Sequence, residues 1–228
     1  AEAFKEAADE LEKAADFDTA VHDMIKKLLA DHRRIIFNGN GYSDAWVDEA
    51  EKRGLPNIKS MVDAIPALKT EKAVKLFETF HVFTRAELES RAEIEFEAYS
   101  KAINIEARTM IDMASKQIIP AVIKYTTELA KSINAVASAC PDADTSVQAE
   151  LLVETSALLS DMKVALAALT DLTEKCGAIE GAEEQARAYR DEIVPAMTAL
   201  REPADKLEMI VDKELWPMPS YGDLIFEV

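Results

Sequence analysis

The stretch TRAELESRAEIEFEAYSKAINIEARTMIDMASKQIIPAVIKYTTELAKSINAVASA, from Thr84 to Ala139, decides how this 228-residue chain folds. Thr84 and Glu87 form a capping-box pair: the hydroxyl accepts from the third helical N–H and the carboxylate reaches back, so a helix starts here. At about 100° per residue, Leu88, Ala92, Phe96, Tyr99 and Ile103 share one narrow arc, while Glu87, Glu93 and Glu97 fall outside it. Beyond Ile103 the arc widens, and Ile105, Met110, Ile111, Met113, Ile118, Ile119, Val122 and Ile123 point almost all round. A helix that is one-sided at its start and apolar all round in its middle is expected to run through the centre of a bundle. Pro120 lacks a backbone donor and clashes with the carbonyl four residues back; because the pattern resumes after it, a kink is expected instead of a stop. Some 50 residues at 1.5 Å each span roughly 75 Å. That is the dimension of a scaffold.

Two further long helices follow. Cys140 to Asp144 (CPDAD) reads as a loop, and Thr145 with Gln148 as a second capping box opening a helix that runs to Gly177. Its apolar face carries Leu151, Leu152, Leu158, Leu159, Met162, Leu166, Leu169 and Leu172. After a turn at Gly181, a third helix from about Ala182 to Val211 contains Pro195 and Pro203 and is expected to bend. The short loops predict antiparallel packing, so the fold class is all-α: an elongated antiparallel bundle on three long helices, about 85–138, 145–176 and 182–212. The last stretch, LWPMPSYGDLIFEV, is aromatic and proline-bearing and reads as an extended tail.

On the N-terminal side, residues 1–15 are helical and highly charged, with Phe4 and Leu11 on a thin apolar side. Asp18 is the expected cap of a second segment in which Val21, Met24, Ile25, Leu28 and Leu29 repeat at helical spacing up to Arg34. The period then breaks at IIFNGNGY, Ile35 to Tyr42, whose two Asn-Gly pairs predict a tight turn through residues that tolerate positive φ. Ser43 is the expected cap of a helix over Asp44 to Arg53, with Gly54 as its terminator and Pro56 beyond. Short helices are expected at Ile58 to Ile65 and, after Thr70, at Glu71 to Phe80. The whole reads as a single helical domain, 1–228. It comprises N-terminal helices (1–34), a turn with short helices (35–83), the long-helix bundle (84–214) and the tail (215–228).

Composition supports the helical class and narrows the partners. Hydrophobic residues make up 49% of the chain, aromatics only 7%, and there are just 6 glycines. The net charge of −17 repels phosphate backbones and anionic lipid, so neither nucleic acid nor a membrane surface is expected as a partner. No apolar run reaches the roughly 18 residues of a membrane span, and no signal peptide opens the chain. Cys140 and Cys176 flank a helix of some 32 residues and so lie roughly 45 Å apart, which predicts free thiols in a reducing cytoplasm. A chain that starts at Ala1, inside a helical pattern, reads as a piece of something longer.

Candidate chemistry is sparse. A di-iron bundle needs two Glu-x-x-His pairs and two more glutamates; only Glu78 and His81 have that spacing, and His22 and His32 have no matching partner, so no metal is expected. Asn38-Gly39-Asn40-Gly41 is followed by Tyr42 and Ser43, whereas a phosphate-binding Walker loop requires a lysine and a hydroxyl there. Phosphate at the amides ahead of the Ser43 helix is one reading of that turn and a structural turn is the other. Asn104, Glu106, Arg108 and Asp112 are polar residues within the most apolar segment, with Asn104, Arg108 and Asp112 four apart in succession. They are expected to form a buried hydrogen-bonded network with a structural role. No nucleophile, base and oxyanion donors assemble, so no catalytic residue is assigned.

Four stretches nevertheless carry a family resemblance: IIFNGNGYSDAWVDEAEKRGLPN (Ile35 to Asn57), FTRAELESRAEIEFEAYSK (Phe83 to Lys101), INIEARTMIDMASKQIIPAVIKY (Ile103 to Tyr125) and LWPMPSYGDLIF (Leu215 to Phe226). Their order and content resemble the C-terminal region of type III glutamine synthetases, the large bacterial form of that enzyme. The resemblance covers about the first 125 residues and the tail; between about Ala130 and Asp212 it is limited to helical character. It implies a parent reaction, the ATP-dependent amidation of glutamate with ammonia, with ATP and magnesium or manganese bound by domains that precede this region. No cofactor is thereby assigned to this chain. It also implies an accessory domain, inactive by itself, whose partners are the catalytic domain of the same parent and neighbouring subunits of an oligomer. Phe37, Asn38, Gly39, Asn40, Gly41 and Tyr42 of the turn, with Trp216, Tyr221 and Phe226 of the tail, are the candidate inter-domain contacts, since exposed aromatics commonly mark a partner. The alternative is that these aromatics pack on one another at one end of the bundle. A second functional reading is a free-standing helical interaction or sensor module without catalytic activity.

Overall fold

A computed structural model describes residues 2–226, and all the regular structure among them is helical. The chain divides into two compact units, one up to Lys59 and one from Ser60 onward.

In the first unit, α1 (Glu2–Leu11) and α2 (Phe17–Asp31) pair with each other, and a single 3₁₀ turn (Arg33–Ile35) leads out of α2. The cap of α2 is Asp16, which accepts from the Thr19 N–H and hydroxyl, and not Asp18, which lies inside the helix. After the turn, α3 (Asp44–Lys52) ends in a Schellman motif. Gly54 takes φ +72, its N–H bonds the Glu51 carbonyl at 2.9 Å, and the Leu55 N–H bonds that of Ala50 at 2.9 Å.

The second unit begins with α4 (Met61–Ala64), a 3₁₀ turn (Ile65–Lys69) and α5 (Glu71–Thr79), capped by Ser60 and Thr70. Its axis is the predicted long helix. α6 (Arg85–Met113) opens on the Thr84–Glu87 capping box, passes through a π turn (Ala114–Ile118) and continues as α7 (Ile119–Ala139), 55 residues in one rod of about 80 Å. α8 (Ser146–Gly177) returns along α7, and a third rod of α9 (Ala182–Ala188), a second π turn (Tyr189–Ile193) and α10 (Val194–Glu208) runs back along α6 and α8. The result is an up–down–up bundle. The expected Thr145–Gln148 box is absent: Thr145 makes no side-chain cap bond, and Asp144 accepts from the Ser146 N–H at 2.9 Å in its place.

Both prolines near mid-helix are handled by the same device. Ile119 donates its N–H to the carbonyl of Ala114, five residues back, and Val194 donates likewise to Tyr189. Pro120 and Pro195 then stand in the first turn of the following α segment, where a missing N–H costs little. The kink predicted at Pro120 is therefore a π turn just ahead of it. Pro203 has no such turn and lies buried inside α10.

The core has two parts. Ala107, Ala114, Ile118, Val122, Met162, Leu166, Leu169, Ile193, Leu200 and Leu207 form the larger. Val62, Ile65, Ala92, Phe96 and Ala186 form the smaller, at the N-terminal half of α6. Ion pairs of Asp63 with Arg190 and of Lys69 with Glu183 rim the second cluster; solvent screens both, so they add little to its stability. The long helix is not apolar on all sides in this setting. Ile105 and Ile123 are 65% and 50% exposed, because α8 and the third rod cover only one face of it. Leu169, fully buried against the long helix and α10, is the test of this core: Leu169→Ala is expected to cost about 2–5 kcal/mol in urea unfolding, with helicity retained below the transition.

Candidate functional site

The IIFNGNGY turn is built from side chains folded onto its own backbone. Phe37 stacks on Trp46 with centroids 4.3 Å apart and planes at 29°, and the Arg53 guanidinium lies 5.9 and 5.7 Å from the two ring centroids. Arg53 is held from three sides: Nε donates to Glu49 at 2.6 Å, and Nη1 donates to the carbonyls of Ile36 at 2.7 Å and Arg34 at 3.3 Å. The tight turn does not use positive φ, which the chain adopts at Gly54, Gly181 and His81 among the described residues. Gly39 is needed for a different reason. A Cβ there would collide with the Phe37 ring lying over it. Gly41 faces open space. Asn40 accepts from the Tyr42 N–H at 3.0 Å, an Asx turn, and its carbonyl accepts from the Ser43 hydroxyl at 2.8 Å. Ser43 thus occupies the cap position of α3 without capping it. Asn38 is exposed, and Tyr42 projects wholly into solvent.

The tail divides differently from its expected extended form. Trp216 and Leu215 pack against the large core, and the Trp216 Nε1–H is buried without a hydrogen-bond partner. After the prolines the chain turns helical again, as α11 (Tyr221–Phe226). Ser220 and Asp223 cap it reciprocally: the Asp223 carboxylate accepts from the Ser220 N–H and hydroxyl, and the Ser220 hydroxyl accepts from the Asp223 N–H at 3.3 Å. This local closure is what sequence patterning misses when it reads WPMPSYG as extended; Ser220-x-x-Asp223 is the signal that marks it. Tyr221 and Phe226 are 85% and 79% exposed.

The polar residues of the long helix are not a buried network. Asn104 is half-buried, and Glu106, Arg108 and Asp112 are exposed. Arg108 donates to Asn104 at 3.0 Å, as its spacing suggested, but Asp112 pairs with Lys116. The reason is the same one-sided coverage that exposes Ile105. His81, the one histidine at metal-ligand spacing from a glutamate, takes φ +54 and ends α5 in a second Schellman motif, its N–H on the Glu78 carbonyl. Among the described residues no three His, Cys, Asp or Glu side chains come together as metal ligands, and no helix is long and apolar enough to cross a membrane. Cys140 is exposed, while Cys176 is buried, and burial holds its thiol pKa up, with Glu192 adding to the effect.

These features define an all-α domain built on one continuous 55-residue helix, with an aromatic turn in the unit that precedes it. Residues 20–137 match the glutamine synthetase C-terminal domain family. The chain is 34% identical over 208 residues to a glutamine synthetase of Butyrivibrio fibrisolvens, an alignment covering 91% of this chain and 30% of that protein. It is 33% identical over 222 residues to the type-3 glutamine synthetase of Dictyostelium discoideum, covering 94% and 30% respectively. With a glutamine synthetase of Bacteroides fragilis (strain YCH46) it shares 30% identity over 228 residues, 98% of this chain and 31% of that one. The chain belongs to the glutamine synthetase C-terminal domain family and corresponds to the C-terminal region of a type III enzyme. It spans about 30% of the length of these relatives, and the alignments run through α8 to α10, where the sequence motifs alone carried no resemblance.

Two measurements separate the tail's parts. Trp216→Ala is expected to destabilise the bundle by about 2–3 kcal/mol in urea unfolding, less than a fully buried tryptophan, while Tyr221→Ala leaves the midpoint unchanged. Asp223 has its pKa lowered to about 2, first by the Lys213 ammonium 2.8 Å away and then by Ser220. A depressed carboxylate stabilises fully above its unfolded value of about 3.9 and loses that contribution as the pH falls through about 2. Amide protection factors in α11, with the intrinsic exchange rate at each pH divided out, should therefore fall between about pH 4 and 2, and Asp223→Asn should show the low protection already at neutral pH.

Proposed function

We infer that this chain is the helical accessory domain of a glutamine synthetase, inactive by itself, whose role is to dock on the rest of its parent and hold the assembled enzyme together. The parent reaction would be the ATP-dependent amidation of glutamate, with ATP and divalent metal held by the portion of the enzyme outside this region. The observation that carries the reading is the amount of apolar surface left uncovered. No residue of α1 or α2 is buried, and Phe17, Ile25, Leu28 and Leu29 of α2 are all exposed at helical spacing. Each such side chain moved from water into a packed contact contributes about 1.5–3 kcal/mol, enough in sum to anchor a domain interface. Tyr42 of the turn and Tyr221, Leu224, Ile225 and Phe226 of α11 add further exposed apolar side chains. Relatives about three times as long, aligned across more than nine-tenths of this chain, supply a partner of the right kind.

The test uses both the chain and its parent. The purified chain should form no glutamine from glutamate, ammonia and ATP. Ile25→Asp with Leu28→Asp should leave the circular dichroism of the isolated chain unchanged, since both side chains are exposed. In the intact parent the same pair should shift sedimentation from the assembled particle towards smaller species, with activity falling alongside. Glutamine formation by the chain alone, or full assembly of the double variant, would overturn the reading.

A further inference from the structure

Within the first unit, Arg33, Arg34, Ile36, Asn38 and Arg53 line an open cavity of about 520 Å³. Three arginines lining one cavity are unusual in a chain with 43 acidic and 26 basic residues, because each has many carboxylates with which it could pair. Arg53 does pair, with Glu49 at 2.6 Å. Arg33 and Arg34 make no ion pair among the described residues, so two of the three arginines at the cavity are uncompensated by a carboxylate contact.

The contacts of Arg53 bear on what the cavity can receive. The carbonyls of two lining residues, Arg34 and Ile36, already accept from Arg53 Nη1, so their oxygens are turned to the guanidinium. Arg53 itself is fixed by Glu49, by those carbonyls and by the Phe37–Trp46 stack, which leaves its Nη2 hydrogens uncommitted on a rigid plane. Asn38, which also lines the cavity, carries an amide able to donate without adding charge. By contrast, in the cavity lined by Arg108, Asp112 and Lys116 the charges are already matched, Asp112 with Lys116.

We propose that Arg33, Arg34, Arg53 and Asn38 form a binding site for a phosphate-type dianion, either free phosphate or the phosphoryl group of a larger molecule. Two open guanidiniums match a double charge better than a single carboxylate, and the planar fork of each matches tetrahedral oxyanion edges bidentately. The site uses side chains of the 3₁₀ turn, the loop and the C-terminal end of α3, and is independent of the amides ahead of α3.

Titration calorimetry of the whole chain with inorganic phosphate, at low and constant ionic strength, tests this. One saturable site is expected, weakening as chloride is raised because the site is open to solvent. Arg33→Ala with Arg34→Ala should lower affinity by roughly tenfold for each guanidinium removed. Arg33→Lys with Arg34→Lys, which keeps the charge and loses the fork, should retain part of the binding. Two-dimensional amide spectra of each variant check that the Phe37–Trp46 turn is intact, and in the unaltered chain they should show phosphate shifts concentrated at residues 33–38 and 53. Tighter binding of glycerol phosphate than of phosphate assigns the site to a phosphoryl group of a larger molecule, and the reverse order to the free anion. No saturable binding, equal binding by the double alanine variant with its turn intact, or acetate binding as tightly as phosphate would overturn the proposal.

Discussion

The bundle depends on a helix that crosses a proline without ending. An α ladder passes each N–H to the carbonyl four residues back, and Pro120 has none to pass. The Ala114–Ile118 π turn resolves this by inserting one residue, so that Ile119 bonds the Ala114 carbonyl and the proline begins a fresh first turn. Tyr189–Ile193 does the same ahead of Pro195 on the third rod. Both π turns bring buried side chains into the larger core, Ala114 and Ile118 from one and Tyr189 and Ile193 from the other. Had either helix stopped at its proline, α8 would have lost a continuous surface to lie against.

Continuity of the long helix also explains why the core is split. A rod of about 80 Å is longer than α8, so α8 covers the C-terminal half while α9, α4 and the 3₁₀ turn cover the N-terminal half. Neither layer encircles it. The uncovered side keeps Ile94, Ile105 and Ile123 in solvent and leaves Arg108 and Asp112 on the surface, where ion pairing is worth little. The same incompleteness is more pronounced in α1 and α2, which bury nothing. Exposed apolar side chains at helical spacing on α2 are the observation on which the proposed docking role rests.

Charge is distributed with a similar logic. The acidic excess lies on exposed helix faces, relieved by pairs such as Glu97–Lys101 and Asp171–Lys175, and the basic exception gathers at the turn before α3. There Arg53 serves structure and charge together: it closes the aromatic stack, ties down two carbonyls and faces the cavity that Arg33 and Arg34 share.

By itself the sequence determined whatever is local in range. Helical periodicity, the Thr84–Glu87 box, Gly54 and Gly181 set the class, the three rods and most of their ends, since caps and turns act within about four residues. Four quoted motifs sufficed for the family, because their residues depart from simple helix patterning. What only the tertiary structure decided was which apolar residues find a cover. Ile105 and Leu169 look alike as letters, yet one stands in water and the other in the core, because burial depends on where α8 and α10 lie and not on neighbours in the chain. The gathering of Arg33, Arg34 and Arg53 across some 19 residues has the same origin, a long-range closure through Phe37 and Trp46 that no periodicity records.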